Sequence, residues 1–192
     1  KSFFFEPLEN IKSVFICVHL CPDEFFFWLR LCRAKFICVP LKMMFFKKHP
    51  KKFFSPEEQE RIVEEIRKAE HRTSGEIRLH LDCCSREETL EKAKKVFHRL
   101  GMRRTKHRNG VLIYLATEHR KFAILGDEGI HRVVADNFWD EVKEKMQTDF
   151  REGRVCGGIC MGIREIGEKL KTFFPVEKGD RNELPDAISE EK

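Results

Sequence analysis

The sequence predicts an α/β fold: a small mixed β-sheet sandwiched between helices, with elements in the order α-β-α-β-β-α-α. Three observations carry this. Residues 76–82, EIRLHLD, alternate apolar and polar side chains with the period of a strand. Residues 109–130, NGVLIYLATEHRKFAILGDEGI, hold two apolar-rich strand patterns around a short polar turn, and the second runs into an acidic, glycine-flanked loop. The remaining regular segments place apolar residues at helical spacing.

Ser55-Pro56-Glu57-Glu58 gives the first helix an N-cap, a proline at its first position and a capping-box glutamate. Ile62, Ile66 and Ala69 form its inward stripe, and Thr73-Ser74-Gly75 ends it. In the strand that follows, Ile77, Leu79 and Leu81 face one side and Arg78 and His80 the other, which predicts a half-buried strand. Ser85-Arg86-Glu87-Glu88 reads as a second capping box, opening a helix with Leu90, Ala93, Phe97 and Leu100 inward and Gly101 as its stop. Residues 110–116 form the most apolar strand and are expected at the centre of the sheet, with 121–125 as hairpin partner. The helix between the first two strands makes them parallel by a crossover. Phe138, Val142, Met146 and Phe150 mark a further helix, with Trp139 beside the stripe. The last helix is expected over Val155–Phe173, with Ile159, Ile163, Ile166 and Leu170 inward. Its Gly157, Gly158 and Gly162 would let it approach the sheet closely. Pro175 ends it, and residues 176–192 read as a polar tail.

The first residues differ in composition. Residues 1–42 carry eight of the 18 phenylalanines and four of the eight cysteines. The apolar pieces are short, and Asp23, Glu24, Arg30, Arg33 and Lys35 interrupt them, against the roughly 20 apolar residues of a spanning helix. We expect residues 1–43 to be a non-native or disordered extension, residues 53–175 to be the domain, and no membrane insertion. The formal net charge of +5 is too small to indicate nucleic acid. The cysteines read as reduced thiols, because adjacent Cys83 and Cys84 are poor partners and a domain of this size needs no staples. That places the chain in a reducing compartment, the cytoplasm.

The sequence has no G-x-x-x-x-G-K-[ST], H-E-x-x-H or G-x-S-x-G, and no cysteine with an arginine six positions on. The commonest catalytic signatures are therefore excluded, and no catalytic residue is assigned. Asp127, Glu128 and Asp136 could converge with Glu76 at one sheet edge, where carboxylates can hold a hard cation such as Ca²⁺ or Mg²⁺. The other reading is ordinary: Asp136 caps a helix and Asp127-Glu128-Gly129 is a turn, caps being the commoner use of such residues. The basic loop 103–108, RRTKHR, and Arg120 could orient a phosphate, or the loop is a solvated surface. Cys156 and Cys160, one helical turn apart, could share a metal or redox role or be small core residues.

The segment 109–130, preceded by TSGEIRLHL and AKKVFHRLGM, resembles the TPM domain family. The shared features run in order. They are Gly75-Glu76-Ile77, Phe97-x-x-Leu100-Gly101, Asn109-Gly110-Val111-Leu112, Ala116-x-x-x-Arg120-Lys121, Gly126-x-x-Gly129-Ile130, and Phe150-x-x-Gly153 before the last helix. The resemblance spans Phe53–Pro175 and is to the short, free-standing bacterial versions; the family also includes a thylakoid-lumen protein linked to photosystem repair. It implies a sheet between helices, a divalent cation at the sheet rim, often Ca²⁺, and acid phosphatase activity in some members. This chain departs from the pattern twice. His119 stands where the family often has an Asp before the hairpin arginine, and GDEGIH replaces a Gly-Tyr-Gly-Leu-Glu-Gly loop. Two functions follow as expectations: a cation-binding domain with weak phosphatase activity on a phosphate ester, or a non-catalytic interaction module with a protein partner in assembly or quality control.

Overall fold

The computed structural model describes residues 16–19, 53–83, 87–135, 137–176, 185 and 187–190. The strands are β1 (Ile16–His19), β2 (Ile77–Asp82), β3 (Val111–Ala116), β4 (Lys121–Gly126) and β5 (Ser189–Glu190). They form one mixed sheet in the order β1-β4-β3-β2-β5. The helices are α1 (Pro56–Glu70), α2 (Thr89–Arg99), α3 (Glu128–Val133), α4 (Phe138–Arg151) and α5 (Val155–Phe173). β2 and β3 are parallel and β3 and β4 antiparallel, as the crossover and hairpin require. β1 lies antiparallel on β4. The rest of segment 1–43 lies outside the described residues.

Strand parity divides the core in two. Ile77, Leu79 and Leu81 of β2, with Val111, Ile113 and Leu115 of β3 and Phe122 and Ile124 of β4, point to the layer formed by α1, α4 and α5. Leu112, Tyr114, Ala116, Ala123 and Leu125 point to α2 and meet Ala93, Val96 and Phe97. β3 is therefore apolar on both faces because helices cover both. The α1 capping box forms as expected: Glu58 N–H donates to Ser55 Oγ at 3.2 Å and Ser55 N–H to Glu58 Oε2 at 2.9 Å.

Several expectations need correction. β2 is fully buried, not half-buried: Arg78, His80 and Asp82 are 6%, 1% and 4% exposed. Polar contacts make that burial tolerable. The Tyr114 hydroxyl donates to Asp82 Oδ2 at 2.6 Å, the Tyr114 ring stacks on His80, and the tail reaches back to them. α2 starts later than its expected capping box, with Glu88 as N-cap accepting from Leu90 and Glu91 N–H, and its stripe includes Val96 while Leu90 and Leu100 are only partly buried. Ser85 and Arg86 lie outside the described residues. The turn after β4 continues into α3. The tail is not wholly irregular, since Ser189 and Glu190 pair in parallel with His80 and Leu81.

The α5 glycines serve close contact, but with helices rather than the sheet. A Cβ on Gly162 would sit 2.5 Å from Met146 Sδ of α4, and one on Gly167 would sit 2.7 Å from Ala69 Cβ of α1. Gly157, by contrast, would meet only Arg154 Cβ at 3.7 Å, an ordinary contact. Gly162→Ala is therefore expected to destabilise the domain by about 1–3 kcal/mol through overpacking. Gly157→Ala should be neutral or stabilise by up to about 1 kcal/mol through helix propensity. Denaturant unfolding of the two variants checks this, and equal effects would contradict the packing account.

Candidate functional site

The edge singled out by the sequence is where β2 and β3 begin and β4 ends. Val111 N–H donates to Glu76 O at 2.7 Å and Asp127 N–H to Gly110 O at 2.9 Å, so Glu76, Gly110 and Asp127 share this rim. Loop 105–109 closes over it. Arg108 sits in the left-handed backbone region with φ 53°, held by its N–H donating to Thr105 O at 3.1 Å. Asn109 N–H donates to Thr105 Oγ1 at 3.1 Å, and Asn109 is fully buried. α3 docks on this loop through Gly129, whose N–H donates to Arg108 O at 2.8 Å. A Cβ there would sit 2.1 Å from His107 O, so only glycine fits. A Cβ on Gly126 would sit 2.6 Å from the Trp139 ring. The Gly-x-x-Gly-Ile motif is thus a pair of close approaches.

Asp127 is the central residue of the rim. It is 4% exposed and grips Arg108 as a fork, with Arg108 Nε donating to Oδ2 at 2.7 Å and Nη2 to Oδ1 at 3.0 Å. Oδ1 also accepts from Glu128 N–H at 2.9 Å, which makes Asp127 the N-cap of α3. Bidentate arginine–carboxylate pairing is among the stronger polar contacts in proteins. It engages both oxygens of the expected metal ligand and two of the three guanidinium nitrogens of the expected phosphate ligand.

The other expected residues are placed as follows. Glu128 is exposed and paired with Arg132 one turn on, a contact worth at most about 0.5 kcal/mol. The Glu76 side chain is buried at the same rim. Asp136 lies outside the described residues, and the N-cap of α4 is Asn137. Among the described residues, no three His, Cys, Asp or Glu side chains converge as a metal site. Arg120 is at the far end of the hairpin, with φ 51° in the turn before β4. A six-residue strand separates it from the rim, about 17 Å at roughly 3.3 Å per residue, so Arg120 and Asp127 cannot serve one phosphate. The remainder of the basic loop is mixed: Arg104 and Lys106 are exposed, and Thr105 is buried.

Cys156 and Cys160 are core thiols. Burial raises both, and pushes Cys160 up to about 12. A thiol held neutral is a poor nucleophile and metal ligand. Cys83, Cys156 and Cys160 are all free cysteines.

Sequence reasoning missed a second polar group, beyond the β2 edge. His80 Nδ1 is 2.8 Å from Ser189 Oγ, and Ser189 Oγ donates to Leu79 O at 3.2 Å. The signal was present: the only tyrosine of the chain, Tyr114, sits on the β3 face shared with the polar positions 78, 80 and 82.

A mixed sheet between one helix and three, with a glycine-docked short helix closing its rim, defines a small α/β sandwich domain. The TPM domain family matches residues 48–169, and the chain belongs to that family. Among solved structures it is similar to the BA42 protein of the psychrophilic bacterium Bizionia argentinensis, determined by NMR. The identity is 45% and the TM-score 0.69, over 72% of this chain and 96% of that one. No curated protein matches the chain. Among the described residues, no helix is long and apolar enough to cross a membrane.

Two predictions follow from this geometry. Arg108→Ala leaves the buried Asp127 carboxylate without its counter-ion and should cost about 1–3 kcal/mol. A cycle with Asp127→Asn should show a coupling of at least about 1 kcal/mol, whereas additive effects would mean that the pair is incidental. The raised Cys160 thiol favours folding below its ordinary value of 9.0, and that contribution is lost as pH rises from there towards about 12. The melting temperature should therefore fall more steeply as pH rises above about 9 towards about 12 for the wild type than for Cys160→Ala. Parallel curves would contradict the assignment.

Proposed function

We propose that this chain is a non-catalytic interaction module built on the TPM fold, acting with a protein partner in assembly or quality control. The observation that supports it best is the state of Asp127. The buried rim carboxylate, the natural candidate for chemistry, is held by Arg108 and by the α3 backbone. Several other polar and thiol groups are committed too. Thr73 Oγ1 donates to Phe174 O at 2.6 Å, Ser189 Oγ to Leu79 O, and the core thiols are held neutral. An enzyme needs a nucleophile or base poised beside a substrate position, and these groups act as fasteners.

A second reading keeps a weak divalent cation, Ca²⁺ or Mg²⁺, at the rim, with slow phosphatase action. It is favoured by one observation, that Glu76 and Asp127 arrive at the same edge. Asp127, Glu128, Asp136 and Glu76 would supply the ligands and Arg108 the phosphate contact. As the residues stand they do not fit an ion, because Asp127 would first have to give up Arg108.

Phosphate release from p-nitrophenyl phosphate, with and without chelator, separates the readings. The module reading expects no chelator-sensitive turnover and no calorimetric heat with Ca²⁺ or Mg²⁺. Turnover that chelator abolishes, and that an Asp127→Ala, Glu128→Ala double variant lacks, would establish the second reading and overturn the first.

A further inference from the structure

The tail strand β5 occupies the outer edge of β2 in an unusual way. β2 is six residues long, and among the described residues the tail pairs with it at two positions, His80 with Ser189 and Leu81 with Glu190. Strand parity shows what that edge offers. The Glu76 and Asp82 carbonyls accept from Val111 and Thr117 N–H on the β3 side, so Ile77, Leu79 and Leu81 turn their backbone groups outward. Each is met by a separate intramolecular device. Glu70 Oε1 accepts from Ile77 N–H at 2.8 Å, the Ser189 hydroxyl donates to Leu79 O, and β5 covers the end. Edge strands are templates for another chain, and proteins cover them.

Three features make this edge specific rather than merely covered. His80, 1% exposed, lies 2.8 Å from the Ser189 hydroxyl, whose single proton goes to Leu79 O; the hydroxyl then accepts from Nδ1–H. The two contacts together recognise a hydroxyl side chain. Ile188, one residue before, packs against the main core, giving an aliphatic position. Arg67 of α1 and Glu190 both line the same groove, which places a base and an acid along it. That groove, between α1 and the tail, has a volume of about 540 Å³ and is bounded by Val63, Arg67, Pro185 and Ile188 among others. The seat therefore extends beyond the described tail residues that line it.

We propose that the outer edge of β2, with the groove beside α1, is a docking seat for an extended partner segment that carries an aliphatic residue, a hydroxyl residue and an acid in succession, the chemistry of Ile188-Ser189-Glu190. The chain's own tail is the competitor in cis. Strand addition to a sheet edge supplies affinity through the backbone, and the side-chain seats supply selectivity. A two-residue strand opens at low cost relative to the core. A longer segment in trans would also fill the groove beside the described tail residues. This rests on the interaction-module reading and names the partner surface for it.

The test uses the full chain and a labelled peptide of sequence PDAISEEK. An Ile188→Asp, Ser189→Ala variant removes the tail's two anchors while leaving β2 and α1 intact. The peptide should bind this variant about tenfold or more tighter than the wild type, and a peptide with alanine for serine should bind about tenfold more weakly. Equal binding to variant and wild type, or binding to neither, overturns the proposal. Hydrogen exchange on the wild type is a second arm that needs no variant. The Leu81 amide should exchange at least about a hundredfold faster than the Leu115 amide, because the tail opens locally. Equal protection would mean that the tail leaves only on global unfolding, and would also overturn the proposal. Neither result bears on the parent reading, which stands or falls on chelator-sensitive turnover.

Discussion

The fork between Arg108 and Asp127 fixes how the two halves of the domain meet. Arg108 ends the loop that leads into β3, and Asp127 ends β4 and begins α3. Joining them closes the rim of the sheet and orients α3 against loop 105–109 through Gly129. The path from α3 then runs into α4, whose Trp139 ring packs on Gly126. A carboxylate this buried is stable only with its charge matched and its oxygens bonded. Arg108, left-handed in its backbone, is placed to do both. The same contact sets the character of the rim, because an ion bound there would have to compete with Arg108 for the Asp127 carboxylate.

The second constraint is the closeness of the helical layer. α5 lies against α4 and α1 at distances that only glycine permits, and Ile159, Ile163, Ile166 and Leu170 fill the space towards the sheet. Small residues on one face trade helix propensity for contact. The result is a core in which every strand position of β3 is buried, leaving the sheet edges as the places where backbone groups can meet another chain. β4 is covered there by β1 and β2 by the tail.

Much of this was legible in the sequence. The bounds of α5 follow from isoleucine spacing between Gly153 and Pro175, and the α1 cap from Ser55-Pro56-Glu57-Glu58. The parallel β2–β3 pair follows from the crossover helix. What failed did so for physical reasons. Alternation in β2 reports that one face is polar, not that the face is wet; Tyr114 and a serine 109 residues from His80 make it dry. α3 has six residues, too few for a helical period to emerge. The glycines of α5 announce close packing without naming the neighbour. At the rim, Asp127 and Glu76 were correctly brought to one edge, but the pairing of Asp127 with Arg108, 19 residues away, depends on the hairpin register and the loop conformation. Arg120 was grouped with them because it is near in sequence, while a strand length separates them in space.

The claim that Asp127 is an anchor rather than an ion ligand has a direct spectroscopic reading. The Arg108 side-chain Nε–H should give a resolved, slowly exchanging NMR resonance, shifted by its carboxylate partner. The account predicts that this resonance is unchanged by saturating Ca²⁺ or Mg²⁺. Its loss or displacement on adding either ion, with the rest of the spectrum intact, would show that the carboxylate exchanges its arginine for a metal, and would contradict the account.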